Sequence, residues 1–197
     1  MQSGKRIVIG VGGNIGAGKT TVCKIFEALG GKYISADEVG WEVLPQIAKA
    51  LRKKFGKAIM NGTSIDKRKL RATIFAKREN VESLNRLSHP ILIQKIKKRI
   101  ANIKSGIVII DAALLYDWPE ITHDIDYSIL VTAKEELKLK RRVANGLDQH
   151  AFLQIRRYQK DDGVLAQRAG FIVNNNGTLA KLRTKCRKIY KEIKDDC

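Results

Sequence analysis

The stretch "RIVIGVGGNIGAGKTTVC", residues 6–23, decides how this chain is read. An apolar run at 7–11 passes directly into glycines, and Gly13 to Thr20 then spells G-x-x-x-x-G-K-T. A continuous apolar run is the pattern of a strand buried on both faces of a parallel sheet. Glycines at this spacing let the backbone turn tightly enough to aim several N–H groups at phosphate oxygens. Lys19 then stands where it bridges the outer phosphates, and the Thr20 hydroxyl can ligand Mg²⁺. A helix opening at Lys19 adds its positive end to the same place. The pattern follows a strand and opens a helix, which is the context the mechanism requires. Gly13, Asn14, Ile15, Gly16, Ala17, Gly18, Lys19, Thr20 and Thr21 are therefore the expected nucleotide phosphate site.

Working outward, Val22, Ile25, Phe26 and Leu29 share one face of a helix that Gly30 and Gly31 stop. "KYIS" at 32–35 reads as a short strand leading into "ADE". From 39 to 86 the pattern is helical, broken near "GKAIMNGTSID" at 56–66. Ser88 is placed to cap a following helix in which Leu92, Ile96, Ile100 and Ile103 recur at helical spacing. Residues 107–110 form the clearest central strand, ending in Asp111, and 127–131 form another. A basic helix is expected over 134–143, then the turn "NGLD", with Asp148 capping a helix that runs to about 160. A last short strand at 171–173 precedes a helix burying Leu179, Leu182, Cys186, Ile189 and Ile193. Strands alternating with helices imply an α/β fold, a parallel sheet with helices on both faces. The segments 39–86 and 134–168 read as insertions within one unit spanning 1–197.

Composition bounds the function. At 197 residues and 44% hydrophobic, the chain can bury a core, so disorder is not expected. No apolar stretch reaches the roughly 18 residues of a membrane span, and the N-terminal run is too short for a signal peptide. Cys23, Cys186 and Cys197 lack metal-ligand spacing and suit a reducing cytoplasm. The first two read as core. The net charge of +18, from 38 basic against 20 acidic residues, invites a nucleic-acid partner. Against that, the basic residues are spread through many helices, few aromatics are interleaved, and no nucleic-acid motif occurs. A polyphosphate binder also needs positive potential, and the Lys-rich terminal helix reads as a solvated face.

The loop alone does not separate a kinase from a motor or a GTPase. A motor ATPase usually sets a water-activating acid beside its metal-site Asp, but alanines follow Asp111, and no Asn-Lys-x-Asp guanine reader occurs. These features favour transfer to a bound acceptor. In an open parallel sheet, ligands lie beyond the carboxyl ends of the strands, where Asp37 and Asp111 flank the loop. Asp111 is placed to act on the metal together with Thr20, or is a plain strand-end acid. Asp37 is placed to accept the acceptor's proton, or to cap the helix that follows.

"GGNIGAGKTTV", "ADEVGWEVL", "LSHPILI", "DAALLYD" and "VNNNGT" occur in this order over roughly residues 6–193. Together they resemble the dephospho-coenzyme A kinase family. The resemblance implies a P-loop kinase fold with a parallel five-stranded sheet, and transfer of the ATP γ-phosphate, with Mg²⁺, to the ribose 3′-hydroxyl of dephospho-CoA. It implies Asp37 as general base, an acceptor-binding subdomain at 39–86 and a lid at 134–168. It places Asn175, within the loop at 174–177, near the adenine, and His89, Asp111 and Leu115 toward the acceptor. His89 reads equally as a helix-start residue bonding backbone beside Pro90. The chain departs from the family pattern at Ser35, Trp41, Ala113 and Asp117, and Ala144 stands where a lid arginine is usual. Arg141 and Arg142 are the candidates to replace it. The expected partners are ATP and dephospho-CoA, with no membrane and no nucleic acid, in a monomer or weak homo-oligomer. The alternatives are another small-molecule kinase with a nucleotide or nucleoside acceptor, and a nucleic-acid-binding NTPase.

Overall fold

The computed structural model describes residues 5–196, so Cys197 lies outside it. The chain begins with β1 (Arg6–Gly12), α1 (Lys19–Ala28), β2 (Lys32–Ser35) and α2 (Ala36–Phe55). A hairpin of β3 (Met60–Asn61) and β4 (Ser64–Ile65) follows, then α3 (Lys67–Ala76), α4 (Arg78–Asn102) and β5 (Gly106–Asp111). The second half contains α5 (Pro119–Thr122), β6 (Tyr127–Thr132), α6 (Glu135–Ala144), α7 (Gln149–Arg156), α8 (Asp162–Ala166), β7 (Phe171–Asn174) and α9 (Leu179–Asp195). Five strands form one parallel sheet in the order β2-β5-β1-β6-β7.

Strand periodicity divides the core into two layers. Ile7, Ile9, Val11, Ile107, Ile109, Ile129 and Val131 face α1 and α9. Val8, Val108, Ile110 and Leu130 face α2, α4, α5 and α8. Because both faces are covered, the central strands β1 and β5 read as near-continuous apolar runs, and each buried Ile contributes about 1.5–3 kcal/mol. Register brings the functional ends together: Val11 and Ser35 both lie beside Asp111.

Several sequence expectations change at element ends. The Ser88 cap is wrong: α4 begins at Arg78 and runs through Ser88, His89 and Pro90, and Ser88 Oγ donates to the Leu84 carbonyl at 2.8 Å. The buried stripe of Leu92, Ile96 and Ile100 continues upstream through Leu87, Leu84 and Val81, and this packing outweighs the one N–H that Pro90 lacks. Helix α2 starts at Ala36, capped by the Ser35 hydroxyl, which accepts from the Glu38 N–H at 3.2 Å. Asp148 caps α7 as expected, accepting from the Ala151 N–H, but that helix ends at Arg156. In α9 Leu179 is exposed; Tyr190 takes the buried place, its ring 5.7 Å from that of Phe26.

Candidate active site

The loop between β1 and α1 is shaped by close packing. Gly18 has φ 99° and Gly16 φ 78°, in the left-handed region that favours glycine. A Cβ on Gly16 would meet the Lys138 carbonyl at 2.5 Å, and one on Gly18 would overlap the Asn175 amide. Asn175 is buried, and its side-chain NH₂ donates to the Ala17 carbonyl at 2.8 Å. Arg141 donates to the Asn175 carbonyl at 2.7 Å, with longer contacts to the carbonyls of Gly16 and Ala17. Both residues thus hold the loop from outside. Within it, the Ala17 N–H bonds the Asn14 carbonyl, and the Ile15 N–H donates to Gln159 Oε1 at 2.9 Å. Among the described residues nothing takes the N–H groups of Gly16, Gly18, Lys19 or Thr20. Four free donors at a helix start form an anion cradle.

Charged groups lie around the start of α1. Asp111, at the carboxyl end of β5, accepts from the Thr20 hydroxyl at 2.7 Å and the Tyr33 hydroxyl at 3.1 Å, both on Oδ2. Burial and the Asp111 charge push the Tyr33 phenol upward in pKa, which keeps it a donor. Burial draws the Lys19 ammonium below its usual pKa; the carboxylates of Asp111 and Asp37 oppose this, and Arg142 adds to it. Asp37 and Arg142 therefore lie within electrostatic reach of Lys19. Asp37 is exposed on the first turn of α2 and, among the described residues, has no hydrogen bond or ion pair. Arg142 carries a buried Nε with no partner, in contrast to Arg141, whose two Nη atoms reach backbone carbonyls. Thr21 is exposed on the same first turn of α1.

The remaining expected residues are more dispersed. Leu115 is fully buried and packs against Gly10 and Gly12 behind the loop, so it is core rather than a contact surface. Two further arginines of the 134–168 segment are engaged elsewhere: Arg156 is tied to Glu135 and Asp161, and Arg157 lies over the Tyr158 ring. His89 Nδ1 accepts from Trp118 Nε1 at 3.2 Å, with the rings edge-to-face. Both border a groove of about 500 Å³ between α4 and α5.

Burial lowers the His89 pKa, partly opposed by Asp117 and Glu120. A proton on Nδ1 would also break the Trp118 bond. The unfolded chain therefore takes up a proton that the folded one resists, and stability falls as pH drops below the ordinary imidazole value. Between pH 7 and 5 the native melting temperature should fall further than that of His89→Gln. Parallel curves would remove His89 from this role.

Sequence reasoning missed Tyr33 and Gln159. Tyr33 had a signal, since side chains two apart on a strand share a face and Ser35 is in register with Asp111. Gln159 had none, since its contact with the loop spans 144 residues.

The family model for dephospho-CoA kinase matches residues 7–181. A dephospho-CoA kinase of Chlorobaculum tepidum is 29% identical, covering 98% of each chain. That of Dehalococcoides mccartyi is 32% identical over 94% of this chain and 96% of its own. Among solved structures, a Thermus thermophilus protein superposes with TM-score 0.79 at 24% identity, covering 95% of this chain and 98% of its own. The Campylobacter jejuni dephospho-CoA kinase does so with TM-score 0.61 at 25% identity, covering 95% and 97%.

Proposed function

We propose a division of labour from the premise that this chain belongs to the dephospho-CoA kinase family, a family of ATP-dependent kinases. ATP rests its phosphates on the free N–H groups of Gly16, Gly18, Lys19 and Thr20, with the Lys19 ammonium on the outer phosphates. The acceptor's ribose 3′-hydroxyl approaches from the Asp37 side. Its oxygen forms a bond to the γ-phosphorus as the bond to the bridging oxygen of ADP breaks, and Asp37 orients the hydroxyl and receives its proton. Residues 39–86 receive the acceptor, and 134–168 act as the lid that excludes water.

Thr20 and Asp111 fit Mg²⁺. They offer hard oxygen donors 2.7 Å apart, and no cluster of three or more metal-binding side chains occurs among the described residues. Mg²⁺ typically takes one or two protein oxygens and completes its shell with phosphates and water. When bound it neutralises phosphate charge. Tyr33 holds the shared Asp111 oxygen from the other side.

The observation that carries this reading is the run of free N–H groups beside the Thr20–Asp111 pair, with the charges of Asp37 and Arg142 acting on the Lys19 ammonium. Its test is ATP turnover with dephospho-CoA, nucleoside monophosphates or RNA. Dephospho-CoA should raise turnover by orders of magnitude over acceptor-free hydrolysis; fast hydrolysis indifferent to acceptor would overturn it. In the same assay Arg142→Ala should lower transfer about tenfold or more. Arg141→Ala should act chiefly on ATP affinity, through the loop it holds. The reverse pattern would reassign the lid arginine.

A further inference from the structure

The geometry points to Gln159 and Asp162 as positioning residues for ATP that act through the phosphate loop without touching the nucleotide. The segment following α7 lies along the leading half of that loop. Gln159 Oε1 accepts the Ile15 N–H at 2.9 Å. Asn14, itself buried, donates both amide hydrogens to this segment, to the Lys160 carbonyl at 2.9 Å and to Asp162 Oδ1 at 2.7 Å. The other Asp162 oxygen accepts from Lys138 Nζ at 2.7 Å. Lys138 is fully buried on α6, is paired also with Glu135, and sets its backbone against Gly16. The loop is thus bonded to the root helix of the insertion at 134–168 and to its return segment.

These bonds decide where the loop's donors point. A peptide plane turns as a unit, so holding the Ile15 N–H outward on Gln159 helps fix the turn that leaves Gly16 and Gly18 facing the cradle. Without that acceptor the Ile15 N–H needs another partner, and the loop gains conformations that bind phosphate poorly. Order built into the free protein need not be supplied by the ligand on binding. Lys138, fully buried, and the half-buried Asp162 add permanence, since loss of the Asp162 charge leaves the buried ammonium with Glu135 alone.

The inference rests on residues 13–20 being the ATP phosphate site, and the experiment separates the two. Affinity for the β,γ-imido analogue of ATP with Mg²⁺ is measured by titration without acceptor, then kcat and KM with dephospho-CoA. Gln159→Leu should weaken the analogue about tenfold, the effect of one lost hydrogen bond that leaves a donor unsatisfied. Its kcat at saturating ATP should stay within about twofold, with the acceptor's KM unchanged. Asp162→Asn should weaken the analogue in the same direction. Undiminished affinity in both folded variants, or a fall in kcat with affinity intact, would overturn the positioning role. A native protein that fails to bind the analogue would instead overturn the phosphate-site reading.

Discussion

Replacing Lys19 by alanine should lower turnover at least about a hundredfold, equivalent to ~2.7 kcal/mol or more of lost transition-state stabilisation. The ammonium sits in a partly desolvated site with two carboxylates and Arg142 nearby. A charge held in such a place stabilises phosphate oxygens far more than the same charge in water. Folding should be little affected, because Asp111 keeps both its hydroxyl donors, Thr20 and Tyr33, when Lys19 is gone. The check is a comparison of kcat/KM and melting temperature between native protein and Lys19→Ala. Near-native turnover would remove Lys19 from phosphate binding and with it the reading of the loop.

Asp37→Asn should reduce kcat by about a hundredfold while ATP affinity changes little, the scale typical of a lost general base. Asp37 is suited to this test because it makes no hydrogen bond or ion pair among the described residues and the cap of α2 is Ser35. Asparagine therefore keeps the shape and leaves the helix start undisturbed, removing only the proton acceptor and its charge. Where the phosphoryl-transfer transition state is loose, part of the loss reflects orientation of the hydroxyl. Single-turnover kinetics at saturating ATP read this step directly. An unchanged rate would exclude Asp37 from the chemistry. A lowered melting temperature would add that its role is in the helix after all.

The fold was legible because its signals are local. The apolar runs at 7–11 and 107–110, the glycine spacing of the loop and the helical stripe of α9 each lie within a few turns of chain. The errors fell where local and tertiary signals compete. Ser88 before a His-Pro pair reads as a helix start, yet the apolar stripe continues across it and the layer over the sheet buries that stripe. Leu115 reads as a motif residue beside a functional acid, yet its neighbours are the glycines of β1, which leave a space only a core side chain fills.

By itself the sequence carried the expectation of a phosphorylated ligand on a glycine loop, of a parallel sheet that supports the loop, and of Asp37 and Asp111 emerging beside it. Those expectations depend on spacing and residue type, which tertiary packing does not alter. Only the tertiary structure decided between neighbours of the same chemistry. Arg141 and Arg142 are adjacent arginines on one helix, but a helix turns about 100° per residue. One guanidinium is therefore bound to loop carbonyls, while the other comes within electrostatic reach of Lys19 with its Nε unpartnered. The grip of Gln159 and Asp162 on the loop was likewise beyond sequence, because it joins segments more than a hundred residues apart. Such contacts exist only once the sheet has set α6 and the return segment beside β1, and no local pattern records that placement.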